Sequence, residues 1–189
     1  GRFGTDPTVI IPRQGRDARS RPMEVLRGWD LMRQAARIVQ LVNLYNAVAV
    51  MVDVGGVGGG LVDRLRQLGV TVYEVDFGSS PDGYNLEDAG TKYYNKRAEI
   101  WGGLAAWLPH GCISNEIAGQ DETLVDELTA PTYTYAGDDM EIQLEKKKDM
   151  LRRGVPSPNA ADALACTFAF PIYLPPLAPF GIDEKPKPY

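Results

Sequence analysis

Histidine occurs once in the 189 residues, at His110, and cysteine twice, at Cys112 and Cys166. One imidazole and two widely placed thiols remove most zinc sites and leave a Ser-His-Asp relay without its base unless His110 serves. The setting of that residue, Leu108-Pro109-His110-Gly111, reads as a turn and not as a catalytic position. The cysteines have no metal-ligand spacing and read as reduced thiols of a cytosolic protein. Long apolar runs are missing too: none approaches the ~20 residues needed to cross a bilayer, so no membrane partner is expected. Neither an initiator Met nor a leader pattern opens the chain, which is read as a piece or processed form of a longer polypeptide. The glycine-rich stretch 55–60 lacks what a nucleotide site needs. A dinucleotide turn would require Gly or Ala where Leu61 stands, and a P-loop would require Lys and Ser/Thr where the chain has Leu61-Val62.

What remains is ordinary for a globular domain: 44% hydrophobic and 24% charged residues, with a net charge of −5. The charge is unevenly spread. Residues 1–37 carry eight arginines against four acids, and Lys146, Lys147, Lys148, Arg152 and Arg153 form a second basic cluster. Such patches bind phosphate even on an acidic protein, although either cluster alone reads first as a solvated helix face. Arg13, Arg16, Arg19 and Arg21 with Lys146, Lys147 and Lys148 are the candidate phosphate contacts.

The pattern along the chain is α/β. Residues 8–11 read as a short strand and 13–22 as a polar loop. Residues 30–45 read as a helix capped by Asp30, with Leu31, Ala35, Ile38, Leu41, Val42 and Tyr45 at helical spacing. The apolar run 47–54 suits a buried strand. A helix to about Leu68 and a strand over 70–75 complete a βαβ unit, which implies parallel strands. A loop follows over 79–90, then helices over 93–108 and 122–128. Residues 133–135 and 141–144 form a hairpin turned at Gly137-Asp138-Asp139, ahead of a basic helix 146–153 stopped by Gly154. An almost wholly apolar helix spans 159–170, and a proline-rich tail runs over 171–189. The expected sheet is mixed, with the 47–54 strand near its centre and the 159–170 helix packed across it.

Two acids carry the chemistry. Asp53 ends the buried strand before a glycine turn, where ligands gather in open α/β sheets; capping that turn is its alternative role. Asp162 sits in the first turn of a helix apolar nearly all round, where an unpaired charge would cost several kcal/mol, roughly; favouring the helix N-terminus is its alternative role. An acid at a strand end and another on a helix suit Mg²⁺ or Mn²⁺, which prefer carboxylate and water oxygens. A pair of such ions hydrolyses phosphodiesters without histidine or a cysteine nucleophile.

Taken in order, several segments resemble the nuclease domain of tailed-phage large terminases. They are Gly1-Arg2-Phe3-Gly4-Thr5-Asp6-Pro7, Val52-Asp53-Val54-Gly55-Gly56-Val57-Gly58, Glu127-Leu128-Thr129-Ala130-Pro131, residues 142–150, Arg153-Gly154, and Ser157-Pro158-Asn159-Ala160-Ala161-Asp162-Ala163-Leu164. The resemblance spans about residues 1–170. It implies a ribonuclease-H-like mixed central sheet flanked by helices with a β-hairpin insertion, and a metal-dependent endonuclease that cleaves concatemeric double-stranded DNA during genome packaging. The family's second and third metal-binding acids fall on Asp53 and Asp162; its first would lie on a strand just upstream of Gly1. Asp6 is the nearest substitute for that acid, and Asn159 stands where the family usually has Asp, so both are secondary ligand candidates. The implied partners are double-stranded DNA, an upstream ATPase domain of the same polypeptide, the portal and the small terminase subunit, in the cytoplasm of an infected bacterium. Another ribonuclease-H-like nuclease, such as a resolvase, and a non-catalytic DNA-gripping module are the competing expectations.

Overall fold

The structure is a computed structural model that describes residues 7–55, 58–83, 90–118, 121 and 123–172. The helix expected from periodicity forms as α1 (Leu31–Tyr45). Asp30 caps it by accepting from the Arg33 N–H at 2.9 Å, and Asn46 ends it in a left-handed conformation. Its buried stripe, Ala35, Ile38 and Leu41, packs on α2 (Gly58–Gln67), which joins β4 (Val50–Asp53) to β5 (Val72–Val75). The two strands are parallel, with Val50 opposite Val72 and Asp53 opposite Val75. The βαβ unit is therefore present, with strands shorter than the apolar runs that announced them.

On the N-terminal side, β1 (Thr8–Ile10) pairs antiparallel with β3 (Glu24–Leu26). The expected loop 13–22 contains a two-residue strand, β2 (Asp17–Ala18), parallel to β6 (Cys112–Ile113). The sheet foreseen as continuous is thus recorded as separate two-stranded pairs among the described residues, and β4 pairs there with β5 alone. The side chains nevertheless place β1 and β4 in one layer. Alternate residues of a strand point to opposite faces. Ile10 of β1 and Val50 and Val52 of β4 join the core shared with α1 and α2, whereas Val9 and Met51 join the core built on α3 (Lys96–Trp107) and α6 (Asn159–Cys166). The result is three layers: α1 and α2, the strands, then α3 and α6.

The last helix is shorter than the apolar run 159–170 suggests. After Cys166 the chain tightens into i→i+3 bonds, from Thr167 N to Leu164 O, Phe168 N to Ala165 O and Ala169 N to Cys166 O. The Thr167 hydroxyl donates to Leu164 O at 2.7 Å, which competes with the helical pattern. Arg13 secures the new direction, donating to Thr167 Oγ1 and O at 2.7 Å each and lying over the Phe168 ring.

The remaining part is the hairpin β7 (Tyr133–Ala136) and β8 (Glu141–Leu144), joined at Gly137 with φ +67° and leading into α5 (Lys147–Arg152). Backbone bonds between Ile142 and both Lys92 and Tyr94 fasten it to the body. Arg153 grips Glu145 through Nε and Nη2, 2.8 Å each, and also donates to the Ala130 carbonyl. The side-chain bond from Arg153 holds Glu145 down from 4.5 to about 2. A depressed carboxylate contributes stability above its unfolded value and loses it as pH falls through the folded one. A Glu145→Gln variant is therefore expected to melt below the parent near neutral pH, with the gap closing between pH about 4.5 and about 2; paired thermal melts across that range check this.

Candidate functional site

Asp53 ends β4. By strand alternation it shares the face of Met51, toward α6, and its Oδ1 accepts from the Gly55 N–H at 2.8 Å. The glycine-rich turn serves this approach. A Cβ on Gly58, the first residue of α2, would collide with the Asp53 carbonyl oxygen, so glycine lets α2 start against the strand end.

Asp162 comes from the other end of the sequence, in the first turn of α6, and is 4% exposed. Its Oδ1 receives the Trp101 indole N–H at 2.8 Å and the Arg97 Nε–H at 3.3 Å, both from α3. Its Oδ2 is sealed from solvent without a well-directed hydrogen bond, and the Lys147 ammonium stands 2.7 Å away as an ion pair. Both aspartates line one cleft of about 1530 Å³, together with Lys147, Asn159, Ala163 and Cys166. Asn159 lies one turn before Asp162, on the same face of α6.

The charges interact. Burial raises the Asp53 carboxyl above its ordinary range, and Asp162 and Asp76 push the same way, against the Gly55 bond and Lys147. Burial also raises the Cys166 thiol well up, with Asp53 and Asp162 adding to it, so the cleft wall there is a neutral thiol. Asp76 is an acid the sequence reading missed. It follows β5 directly and accepts from Gly78 N–H at 2.8 Å, as Asp53 does from Gly55. The signal was a repeat: Val52-Asp53-Val54-Gly55 and Val75-Asp76-Phe77-Gly78 end neighbouring parallel strands alike. Arg97 and Trp101 were missed as well, because contacts between α3 and α6 have no local sequence signature.

The donor set suits a hard divalent cation: a buried carboxylate oxygen paired with a cation, a second carboxylate destabilised by burial and by neighbouring acids, and an amide. Among the described residues no group of three or more His, Cys, Asp or Glu could hold a metal ion. Asp6 lies outside the described residues. The cleft also runs between β1 and β4, lined by Thr8–Ile10 on one side and Val50–Asp53 on the other, with Ile38, Leu41 and Val42 of α1 among its walls.

The basic candidates divide. Arg13 is committed to the fold by the bonds to Thr167 and is not a free surface cation; burial lowers its pKa. Lys147 faces Asp162 and lies over the Phe77 ring. Arg21 donates to Gln14 Oε1 at 2.6 Å. Arg16, Arg19, Lys146 and Lys148 are exposed. His110 is exposed in the 3-10 turn Leu108–His110, and no described helix is long and apolar enough to cross a membrane.

The fold is similar to that of solved nuclease domains of a phage large terminase subunit. The chain matches a point variant of the large terminase subunit fragment gp2c from bacteriophage Sf6 solved with calcium, at a TM-score of 0.71 and 20% identity, over 89% of this chain and 85% of that one. A variant of the nuclease domain of the Sf6 large terminase subunit gp2, solved with manganese and beta-thujaplicinol, matches at 0.69 and 20%, over 91% and 86%. The Sf6 nuclease domain without a stated ligand matches at 0.66 and 20%, over 88% and 86%. No protein-family pattern and no curated protein matches the sequence.

Lys147 and a metal ion would compete for Asp162 Oδ2. An ion pair with a partly exposed lysine contributes about 1 kcal/mol or less, so Lys147→Ala is expected to bind Mn²⁺ up to about fivefold more tightly than the parent in calorimetric titration; equal affinities would show that the ammonium does not compete.

Proposed function

We propose that this chain is a ribonuclease-H-like nuclease domain of a phage large terminase, a divalent-metal-dependent endonuclease that cuts concatemeric double-stranded DNA during packaging in the infected bacterial cytoplasm. The observation that carries the reading is the convergence of Asp53 and Asp162, from distant parts of the sequence, on one cleft in a fold whose neighbours include a nuclease domain solved with manganese. Asp162 Oδ2 and Asp53 would hold Mg²⁺ or Mn²⁺, with the Asn159 amide as a neutral donor. A bound pair of such ions supplies an activated water and stabilises the leaving oxygen. The chain itself orients the acids: Trp101 and Arg97 fix one oxygen of Asp162 and leave the other to Lys147, which lines the cleft, and Gly55 fixes Asp53. Exposed Arg16, Arg19, Lys146 and Lys148 would meet phosphates.

The cleft between β1 and β4 supports the expectation of a strand upstream of Gly1 that brings a further carboxylate. Residues 1–170 would form the nuclease unit and 171–189 a proline-rich tail, with the ATPase domain preceding them and the portal and small subunit as assembly partners. A DNA-gripping module without chemistry is the second reading, favoured by the lack of a three-ligand cluster among the described residues.

Supercoiled-plasmid nicking with Mn²⁺ separates the two. In a chain extended upstream by one strand, cleavage is expected, with Asp53→Asn or Asp162→Asn each lowering it by roughly 100-fold or more, while the 189-residue chain cleaves little. Full nicking by either variant would overturn the site, and metal-independent binding without nicking in the extended chain would favour the gripping module. Replacing Arg16, Arg19, Lys146 and Lys148 with alanine is expected to weaken DNA binding at low salt and flatten its salt dependence; unchanged affinity would remove them as phosphate contacts.

A further inference from the structure

The N-terminus of α6 lies behind Pro158, which offers no side-chain acceptor. The first N–H groups of any helix need partners from outside it. Here Asn159 N–H bonds Ser157 O at 2.9 Å, and Asp162 N–H makes the first helical bond, to Pro158 O at 2.8 Å. Between them, Ala160 and Ala161 are both fully buried, so water is excluded as their partner. Both donate to a single atom, Glu127 Oε2, at 2.6 and 2.9 Å. Glu127 is itself buried, on α4 (Leu124–Thr129), a short helix fixed by a reciprocal cap between Thr123 and Asp126. It is not among the residues lining the cleft.

We propose that Glu127 is the positioning residue of Asp162, locking the rotation of α6 so that Oδ1 meets Trp101 and Oδ2 meets Lys147. The assignment deepens the nuclease reading and rests on it for its catalytic consequence, although the geometry stands apart from it. Ala161 is the residue immediately before Asp162. Two buried hydrogen bonds therefore fix the backbone on one side of the acid, from α4, while α3 fixes its side chain on the other. Without them, two buried N–H groups would be unsatisfied and the first turn of α6 would unwind or swing toward solvent. One oxygen accepts both bonds, so the amide oxygen of glutamine can replace it. The role is geometric and does not require the charge of Glu127.

The Trp101 indole N–H reports the position of Asp162 directly, through its 2.8 Å bond to Oδ1. The chain has three tryptophans. Trp107, which donates to Gly15 O, and Trp29 serve as internal controls of folding in indole ¹H–¹⁵N spectra of the 189-residue chain. In Glu127→Ala the Trp101 signal is expected to move toward that of a water-bonded indole while the two controls stay in place; in Glu127→Gln it is expected to remain at the parent position. Should the alanine variant fail to fold, Glu127→Asp withdraws the oxygen by one methylene, keeps the charge, and is expected to shift the same signal. Cleavage by the upstream-extended chain is expected to fall at least tenfold in Glu127→Ala and to recover to within about threefold in Glu127→Gln. A Trp101 signal unmoved in Glu127→Ala, or in Glu127→Asp where that is the folded variant, overturns the assignment, as does a glutamine variant shifted as far as either. If the signals behave as expected while no version of the chain cleaves DNA, the positioning role holds and the nuclease reading fails.

Discussion

Burying a carboxylate costs several kcal/mol, roughly, unless the protein supplies partners, and most of this structure around α6 is arranged to supply them to Asp162. Trp101 and Arg97 reach it from α3, and Lys147 from α5. Arg97 in turn donates to the Glu145 carbonyl at the base of the hairpin, and Glu145 is gripped by Arg153. The hairpin, the basic helix and the long helix α3 are thereby tied to one acid. A chain that needed Asp162 only as a helix-terminal charge would have left it at the surface.

The strand layer follows a different constraint. β1 and β4 each place side chains into both cores, so each is covered on its two faces, yet the cleft separates them edge from edge. Asp53 stands at the end of β4 within that cleft, and its carboxyl is raised by burial in an environment that already holds two other acids. A carboxylate held in a buried site beside other acids is an arrangement that a cation relieves.

The parts of this molecule governed by local rules were legible in the sequence. The 3.6-residue period and Asp30 gave α1 its start and its buried stripe, the βαβ unit followed from alternating apolar runs and glycine, and the hairpin followed from its turn residues. The places of Asp53, at a strand end, and Asp162, among apolar residues of a helix, were legible as well, and the fold brings them to one cleft. What escaped was tertiary. Arg13 looked like a surface cation because nothing nearby in sequence announces Thr167 and Phe168 as its partners. The run after Cys166 looked helical because apolar residues fit a tightened turn as well as a helix. Lys147 could not be told from Lys146 and Lys148 until the helix phase turned it inward. Glu127 read as one acid of a short helix and of a segment resembling the terminase pattern, with nothing local to show that it closes another helix.

The glycine turn beside Asp53 bears on how the sequence tolerates change. Three neighbouring positions look interchangeable in the sequence, yet Gly58 would drive a side chain into the Asp53 carbonyl, Gly60 would press on the yielding end of Leu31, and Gly59 has open space. In a saturation library the three should behave as different letters: position 58 closed to every substitution, position 60 open to alanine and serine, and position 59 open widely, even to larger side chains that raise helix propensity.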